Sequence, residues 1–181
     1  MNKKVAFQDL GLIDYKKCWD YQEALFAEIL AVKSANRKEN KTDITQNHLL
    51  FCEHPHVYTL GKSGQEDHLL LNKEELKTND ISYYKINRGG DITYHGPGQR
   101  IVYFMINLNK RKKDIRKFVN IIENSVISLL IEFDIEARTF PERIGIWVIK
   151  SHGNKLSKEE KIGAVGLRIK RWVTYHGLSF N

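Results

Sequence analysis

The chain has 181 residues, 41% hydrophobic and 28% charged, with a net charge of +7 and a pI near 9.3. That length suits one well-buried core, the composition excludes wholesale disorder, and no apolar run approaches the roughly 20 residues that a membrane-spanning helix needs. The opening Met1-Asn2-Lys3-Lys4-Val5 lacks the apolar stretch of a secretory signal, and Cys18 and Cys52 are too few for a disulfide framework, so a cytoplasmic, monomeric protein of one domain spanning 1–181 is expected.

In residues 14–33 the recurrence of Cys18, Tyr21, Leu25, Ile29 and Val32 predicts an amphipathic helix, followed by a polar exposed loop over 34–43. The short apolar run Asn47-His48-Leu49-Leu50-Phe51-Cys52 has the length of a buried strand and delivers Glu53-His54-Pro55-His56-Val57-Tyr58-Thr59-Leu60-Gly61. His54 and His56 straddle a proline, with no repeat of cysteines or carboxylates around them, so their spacing makes no metal pair and no metal is expected. A short helix over 73–77 precedes a strand over 81–86.

The twelve residues Arg88-Gly89-Gly90-Asp91-Ile92-Thr93-Tyr94-His95-Gly96-Pro97-Gly98-Gln99 come next and hold four of the chain's 12 glycines and one of its 3 prolines. Glycine loses more backbone entropy on folding than any other residue, so such a cluster implies backbone that takes positive φ or lies against a ligand. Arg88, Thr93, Tyr94, His95 and Gln99 add five polar or hydrogen-bonding side chains, more than a plain hairpin requires.

Residues 100–108 are apolar at nearly every position, as in a strand covered on both faces. The run Lys110-Arg111-Lys112-Lys113 has no interleaved aromatics and reads as a solvated loop, not a nucleic-acid contact. Asp114 is a fitting N-cap for a helix with Ile115, Phe118, Ile122, Val126, Leu129 and Phe133 as its core stripe. Strands are expected over 135–139, 144–150, 161–169 and 172–180, with 151–160 an exposed turn in which His152 is solvated. Together these elements predict an α+β domain on one central mixed, largely antiparallel sheet flanked by helices.

Three segments, taken in order, resemble the octanoyltransferases of lipoate biosynthesis. They are Glu53 to Gly61, Arg88 to Gln99, and Lys161-Ile162-Gly163-Ala164-Val165-Gly166-Leu167-Arg168 with Thr174-Tyr175-His176-Gly177-Leu178. The resemblance implies a biotin/lipoate protein ligase-like fold. It also implies transfer of an octanoyl group from the thioester of acyl carrier protein to the lysine ε-amine of lipoyl domains, those of 2-oxoacid dehydrogenase complexes and of the glycine-cleavage H protein. No ATP or other cofactor, no nucleic acid and no membrane is implied. Family chemistry uses a cysteine and a lysine, and Lys161 matches that lysine, the base for the thiol. The acyl-binding residues map onto Arg88, Gly89, Gly90, Asp91, Ile92, Thr93, Tyr94 and His95, onto Ala164, Val165 and Gly166, and onto Gly177, Leu178 and Ser179. Small residues at 163, 164 and 166 would leave room for the acyl chain and bring N–H groups toward the thioester carbonyl. His95 and His176 could orient that carbonyl or the incoming amine, and His176 serves equally well as a structural histidine.

The family's nucleophile lies in a Pro-Cys-Gly segment beyond the His-Gly-Leu motif, which residues 1–181 do not reach. Cys18 falls on the first helix and Cys52 closes an apolar strand, where an inert buried thiol is expected. The nearness of Cys52 in sequence to His54 and His56 leaves a relocated nucleophile as an alternative. The chain is therefore expected to lack the family's C-terminal segment and, as it stands, to form no covalent octanoyl adduct. An ATP-dependent lipoate or biotin ligase and a non-catalytic remnant that binds acyl carrier protein are the alternatives. The basic charge would steer acidic carrier protein and lipoyl domains to one site.

Overall fold

The computed structural model describes residues 4–109, 113–152 and 155–181, without the side chains of 150–157. In chain order the elements are β1 (Val5–Leu12), α1 (Tyr15–Lys38), β2 (Asn47–Glu53), β3 (Val57–Leu60), a 3-10 turn (Glu66–His68), α2 (Lys73–Thr78), β4 (Ser82–Lys85), β5 (Ile92–His95), β6 (Arg100–Met105), α3 (Ile115–Ile131), β7 (Ala137–Phe140), β8 (Arg143–His152), β9 (Lys155–Lys170) and β10 (Val173–Phe180). They fall into two units, Met1–Lys113 with Gly166–Gly177, and Asp114–Val165 with Leu178–Asn181.

In the first unit the main sheet has the strand order β1-β2-β6-β10-β9, and a smaller sheet has the order β4-β3-β5. β1 runs parallel to β2, whereas β2 and β6 are antiparallel with Leu50 opposite Tyr103 and Cys52 opposite Ile101. The Asp14 side chain accepts from the Lys17 N–H and starts α1, whose buried face of Tyr15, Cys18, Gln22, Leu25 and Ile29 follows the three-and-four spacing of a helix. Cys18, Leu25 and Ile29 join Leu50, Cys52, Ile101, Tyr103, Met105, Val173 and Tyr175 in one apolar core. Thr174 binds β10 to β6, its hydroxyl donating to the Phe104 carbonyl at 2.6 Å and accepting from the Ile106 N–H at 3.0 Å.

In the second unit β8 lies between β7 and β9, antiparallel to both, with Trp147 opposite Arg138 and Lys161. Asp114 caps α3 by accepting from the Lys117 N–H.

The α+β class and the mixed, largely antiparallel sheet are thus as expected, and several boundaries differ. α1 continues to Lys38, past the expected end at 33, because its last turn is made of helix-tolerant polar residues with Arg37 and Lys38 suited to the negative end of the helix dipole. The glycine-rich stretch contains a strand, β5, paired with β3 through Thr93 opposite Thr59. The core stripe of α3 is rotated: Val119, Ile122, Glu123, Val126 and Leu130 are buried, whereas Ile115, Leu129 and Phe133 are exposed. Its phase is set by Glu123, whose carboxylate turns inward to accept the Gly145 N–H at 2.8 Å. The expected turn over 151–160 is mostly strand, since β8 runs to His152 and β9 begins at Lys155. Gly153, Asn154 and the side chains of His152 and Ser157 lie outside the described residues, as do Lys110, Arg111 and Lys112 of the basic run. Lys113 is exposed, with its ammonium 5.7 Å from the Trp172 ring.

Candidate functional site

The glycine-rich stretch is braced from inside the first unit. Carbonyls of Arg88, Gly90 and Asp91 accept the N–H groups of Lys62, Ser63 and Gly61 at 2.9, 3.2 and 3.1 Å. A Cβ on Gly61 would overlap the Gly90 carbonyl, so only glycine permits this approach. Gly90 itself has φ +91, the conformation glycine adopts freely.

Arg88 is buried, 8% exposed, and four of its five guanidinium N–H groups have partners within the fold, Nε donating to Thr59 Oγ1 at 3.3 Å. Nη2 donates to the Thr59 carbonyl at 2.7 Å and to Thr59 Oγ1 at 2.9 Å, and Nη1 donates to the Gly89 carbonyl at 3.0 Å. Among the described residues no carboxylate forms an ion pair with it, and the Asp91 carboxylate is near enough to favour its charge. Asp91 faces outward, bound to the ring of His68 at 2.6 Å. Ile92, Thr93, Tyr94 and His95 form β5, with the Tyr94 hydroxyl hydrogen-bonded to His56 Nδ1.

Gly166 and Leu167, on β9, meet this loop. The Gly89 N–H donates to the Leu167 carbonyl at 3.1 Å, and a Cβ on Gly166 would stand 3.1 Å from both Arg88 Cδ and the Gly89 carbonyl. Gly177, on β10, presses against β6, where a Cβ would overlap the Val102 carbonyl. Within this unit the structure therefore brings together the Arg88 loop and Gly166.

Two histidines of the same unit are buried and neutral. His95 Nδ1 donates to Gln99 Oε1 at 2.6 Å, and burial pulls its pKa down to about 4, with His54 and Arg88 adding to the effect. Burial also pulls His176 down to about 3, with help from Arg88 and Arg168. His176 is 2% exposed, both of its ring nitrogens are buried without a hydrogen-bond partner, and its φ is +63. A buried ring with two orphaned nitrogens and a left-handed backbone is a costly arrangement that a purely structural histidine would avoid.

In the second unit Lys161 stands directly across from Trp147, and its ammonium lies 4.7 Å from the indole ring. The Arg143 guanidinium lies 4.3 Å from the same ring and is paired with Glu159 at 2.5 Å. Lys161 is exposed on β9, and partial burial of its side chain, then the Arg143 charge, draw its pKa below the usual lysine value, the direction that favours the neutral amine a base requires. Gly145, at φ +129 and held by Glu123, leaves space for the lysine stem, since a Cβ there would come within 3.1 Å of Lys161 Cε. Ala164 and Val165 are half-buried on β9, and Leu178 and Ser179 are buried on β10. Trp147 and Arg143 are additions to the sequence reading. Their link to Lys161 comes from strand register, which the uncertain length of the β8–β9 connection hides.

Neither cysteine is placed to attack a substrate. Cys18 and Cys52 are both 0% exposed, and hydrogen bonding to Cys18 together with burial pushes the Cys52 thiol far above the usual range. His54, also fully buried, donates from Nδ1 to the Ile13 carbonyl and accepts at Nε2 from the Tyr103 hydroxyl. This removes Cys52 with His54 and His56 as a relocated nucleophile.

Comparison with known proteins adds a family. A family model described as the lipoyl protein ligase A/B catalytic domain matches residues 14–181. A protein of Flavobacterium johnsoniae named octanoyltransferase is 48% identical over 181 residues, 100% of this chain and 76% of that protein. One of Bacteroides fragilis with the same name is 37% identical over 98% of this chain and 76% of its own length. Among solved structures, LipL1 of P. falciparum in complex with lipoate superposes with a TM-score of 0.64 at 16% identity, over 98% of this chain and 47% of that one. A putative lipoate protein ligase of T. acidophilum with bound lipoic acid gives 0.62 at 14% identity, over 99% of this chain and 68% of its own. At such identities these superpositions establish the fold.

Proposed function

The chain belongs to the lipoyl protein ligase A/B catalytic domain family, and from that premise we propose that it acts as an octanoyltransferase of protein lipoylation. The donor in this reading is the octanoyl thioester of acyl carrier protein and the acceptor is the lysine ε-amine of a lipoyl domain. The observation that carries it lies in the first unit: a glycine-braced loop over a buried guanidinium held by Thr59 and Gly89, and a buried histidine, His176, whose two ring nitrogens have no hydrogen-bond partner among the described residues.

The electrostatics suit acyl transfer. The Arg88 charge, fixed by Thr59 and Gly89, favours negative charge developing on a thioester carbonyl oxygen, and it adds to the burial that keeps His95 and His176 neutral. A neutral His176 can hydrogen-bond to that oxygen or to the incoming amine. Backbone of residues 88–95, with Gly166 and Gly177 of the same unit, lines the acyl chain in this reading.

Lys161, with its lowered pKa, takes the proton of the attacking thiol. The thiolate then displaces the carrier's thiol, which leaves with a proton, and the lipoyl amine displaces the enzyme thiol to form the amide. Neither Cys18 nor Cys52, both sealed in the core, serves as that attacking thiol. No described helix is long and apolar enough to cross a membrane, and a cytoplasmic site of action is part of the proposal.

The reading is tested by giving the protein ATP with lipoate or biotin and assaying pyrophosphate, and by titrating it with octanoyl-loaded and unloaded carrier protein. No pyrophosphate and a preference for the loaded carrier are expected. Pyrophosphate release would replace the transferase with an ATP-dependent ligase.

A further inference from the structure

The core beneath α1 holds a cluster that acyl transfer does not use. Cys18 on α1, Cys52 on β2 and His54 just past β2 are all fully buried, and their ligand atoms lie within 4.8 Å of one another. All three belong to the first unit. From sequence alone the set is hidden, because Cys18 reaches it from a different element.

The surroundings orient the donors as a metal site requires. His54 Nδ1 donates to the Ile13 carbonyl at 2.8 Å, which fixes the tautomer with its lone pair on Nε2. That nitrogen faces Cys52 Sγ at 3.6 Å, matching the sulfur-to-nitrogen edge of about 3.6 Å that ordinary zinc bond lengths give in a tetrahedral site. Gln22 Nε2 donates to Cys18 Sγ at 3.7 Å, the kind of contact that steadies a thiolate. The Tyr103 hydroxyl donates to His54 Nε2 at 2.9 Å, so that lone pair already points at a group able to yield it to a metal.

The geometry points to a structural site for a thiophilic divalent cation of the zinc class, with Cys18, Cys52 and His54 as its three protein ligands. Charge selects the valence. Two thiolates, one neutral imidazole and a divalent ion sum to zero, which a dry core accommodates, whereas a monovalent ion would leave an uncompensated negative charge. On binding, each thiol gives up its proton to solvent, and the Tyr103 O–H turns from Nε2 as the metal takes that lone pair. The bound ion would clamp α1 to β2.

The test uses the reduced, metal-free chain titrated with Co(II). Sulfur-to-cobalt charge-transfer absorption and the intense visible bands of a tetrahedral site are expected, saturating at one equivalent and displaced by Zn(II). In Cys52→Ser and in Cys18→Ser the apparent affinity for Co(II) should fall about 100-fold or more, with circular dichroism confirming that each variant is folded. Should a variant not fold, the wild-type chain decides the matter by itself, since Zn(II) should raise its unfolding midpoint. Absence of the charge-transfer band at a large excess of Co(II), unchanged binding in both serine variants, or an unfolding midpoint that Zn(II) leaves unmoved would each overturn the proposal.

Discussion

Arg88 and Thr59 form a buried contact in which one threonine takes two hydrogen bonds from one guanidinium nitrogen, 2.7 Å to its carbonyl and 2.9 Å to its hydroxyl. Since Thr59 sits on β3 and is 0% exposed, the contact sets the height of the glycine-rich loop and fixes the position of its positive charge. Thr59→Val preserves the shape and removes the hydroxyl acceptor. A loss of about 1–3 kcal/mol is expected, as for an unsatisfied buried donor on a charged group, read as a lower urea midpoint at unchanged slope. Unchanged stability would mean that the guanidinium is not held from this side.

Two glycines separate close approach from backbone conformation. Gly177→Ala drives a Cβ into the Val102 carbonyl between two paired strands, and about 3 kcal/mol or more should be lost. Gly98→Ala meets nothing within 4 Å and is disfavoured only by its φ of +85, so a loss of about 1–2 kcal/mol is expected. Thermal unfolding of the two variants side by side checks the ordering.

His176 and His95, depressed to about 3 and about 4, make the fold acid-sensitive. A histidine with a lowered folded pKa stabilises above its unfolded value near 6.5, and that stability drains away as pH falls toward the folded value. At pH 5 each should have lost about 2 kcal/mol relative to pH 7.5, at about 1.4 kcal/mol per pH unit. Denaturation midpoints over pH 7.5 to 5 should slope accordingly, and His176→Asn should remove about half of the slope.

The His68 and Asp91 contact, on the outer side of the loop, has the opposite edge. Hydrogen bonding to Asp91 raises the His68 pKa, and hydrogen bonding to His68 lowers that of Asp91. The raised histidine contributes below its ordinary value and loses that contribution as pH rises through the folded one. The lowered carboxylate contributes above its ordinary value and loses it in acid. Loop protection in amide exchange should therefore be greatest between the carboxylate and imidazole ranges, and His68→Asn should flatten the profile.

Trp147 carries Lys161 and Arg143 on one ring, and the arginine charge helps to lower the lysine pKa. Arg143→Gln should raise the Lys161 pKa, observed as slower acylation of that lysine by an amine reagent at fixed pH and as a shifted titration by NMR. Equal reactivity in the two proteins would remove Arg143 from the account.

Much of this was legible in residue patterns, for reasons that particular positions make plain. Asp14 and Asp114 cap their helices as their side-chain chemistry dictates, and the apolar run at 100–108 is a central strand through Met105. β1 escaped notice because it lies at the sheet edge with most residues exposed, so its side chains carry little apolar alternation. β5 is hidden by the glycines around it. Glu123, a charged residue turned inward to reach Gly145, shifts the buried face of α3 in a way no hydrophobic pattern encodes. Arg88 stands out in the sequence only as the charged residue that opens the loop, and its role in holding the loop to Thr59 comes from the packing of β3.

The central claim, that this chain binds an octanoyl thioester while its two cysteines are sealed, is most directly tested by mixing the 181-residue protein with octanoyl-loaded carrier protein and following both binding and intact mass. The account predicts saturable binding that favours the loaded over the unloaded carrier, weakens as salt rises, and leaves the protein at its own mass. Equal binding of loaded and unloaded carrier, or a mass gain of one octanoyl group, would contradict it.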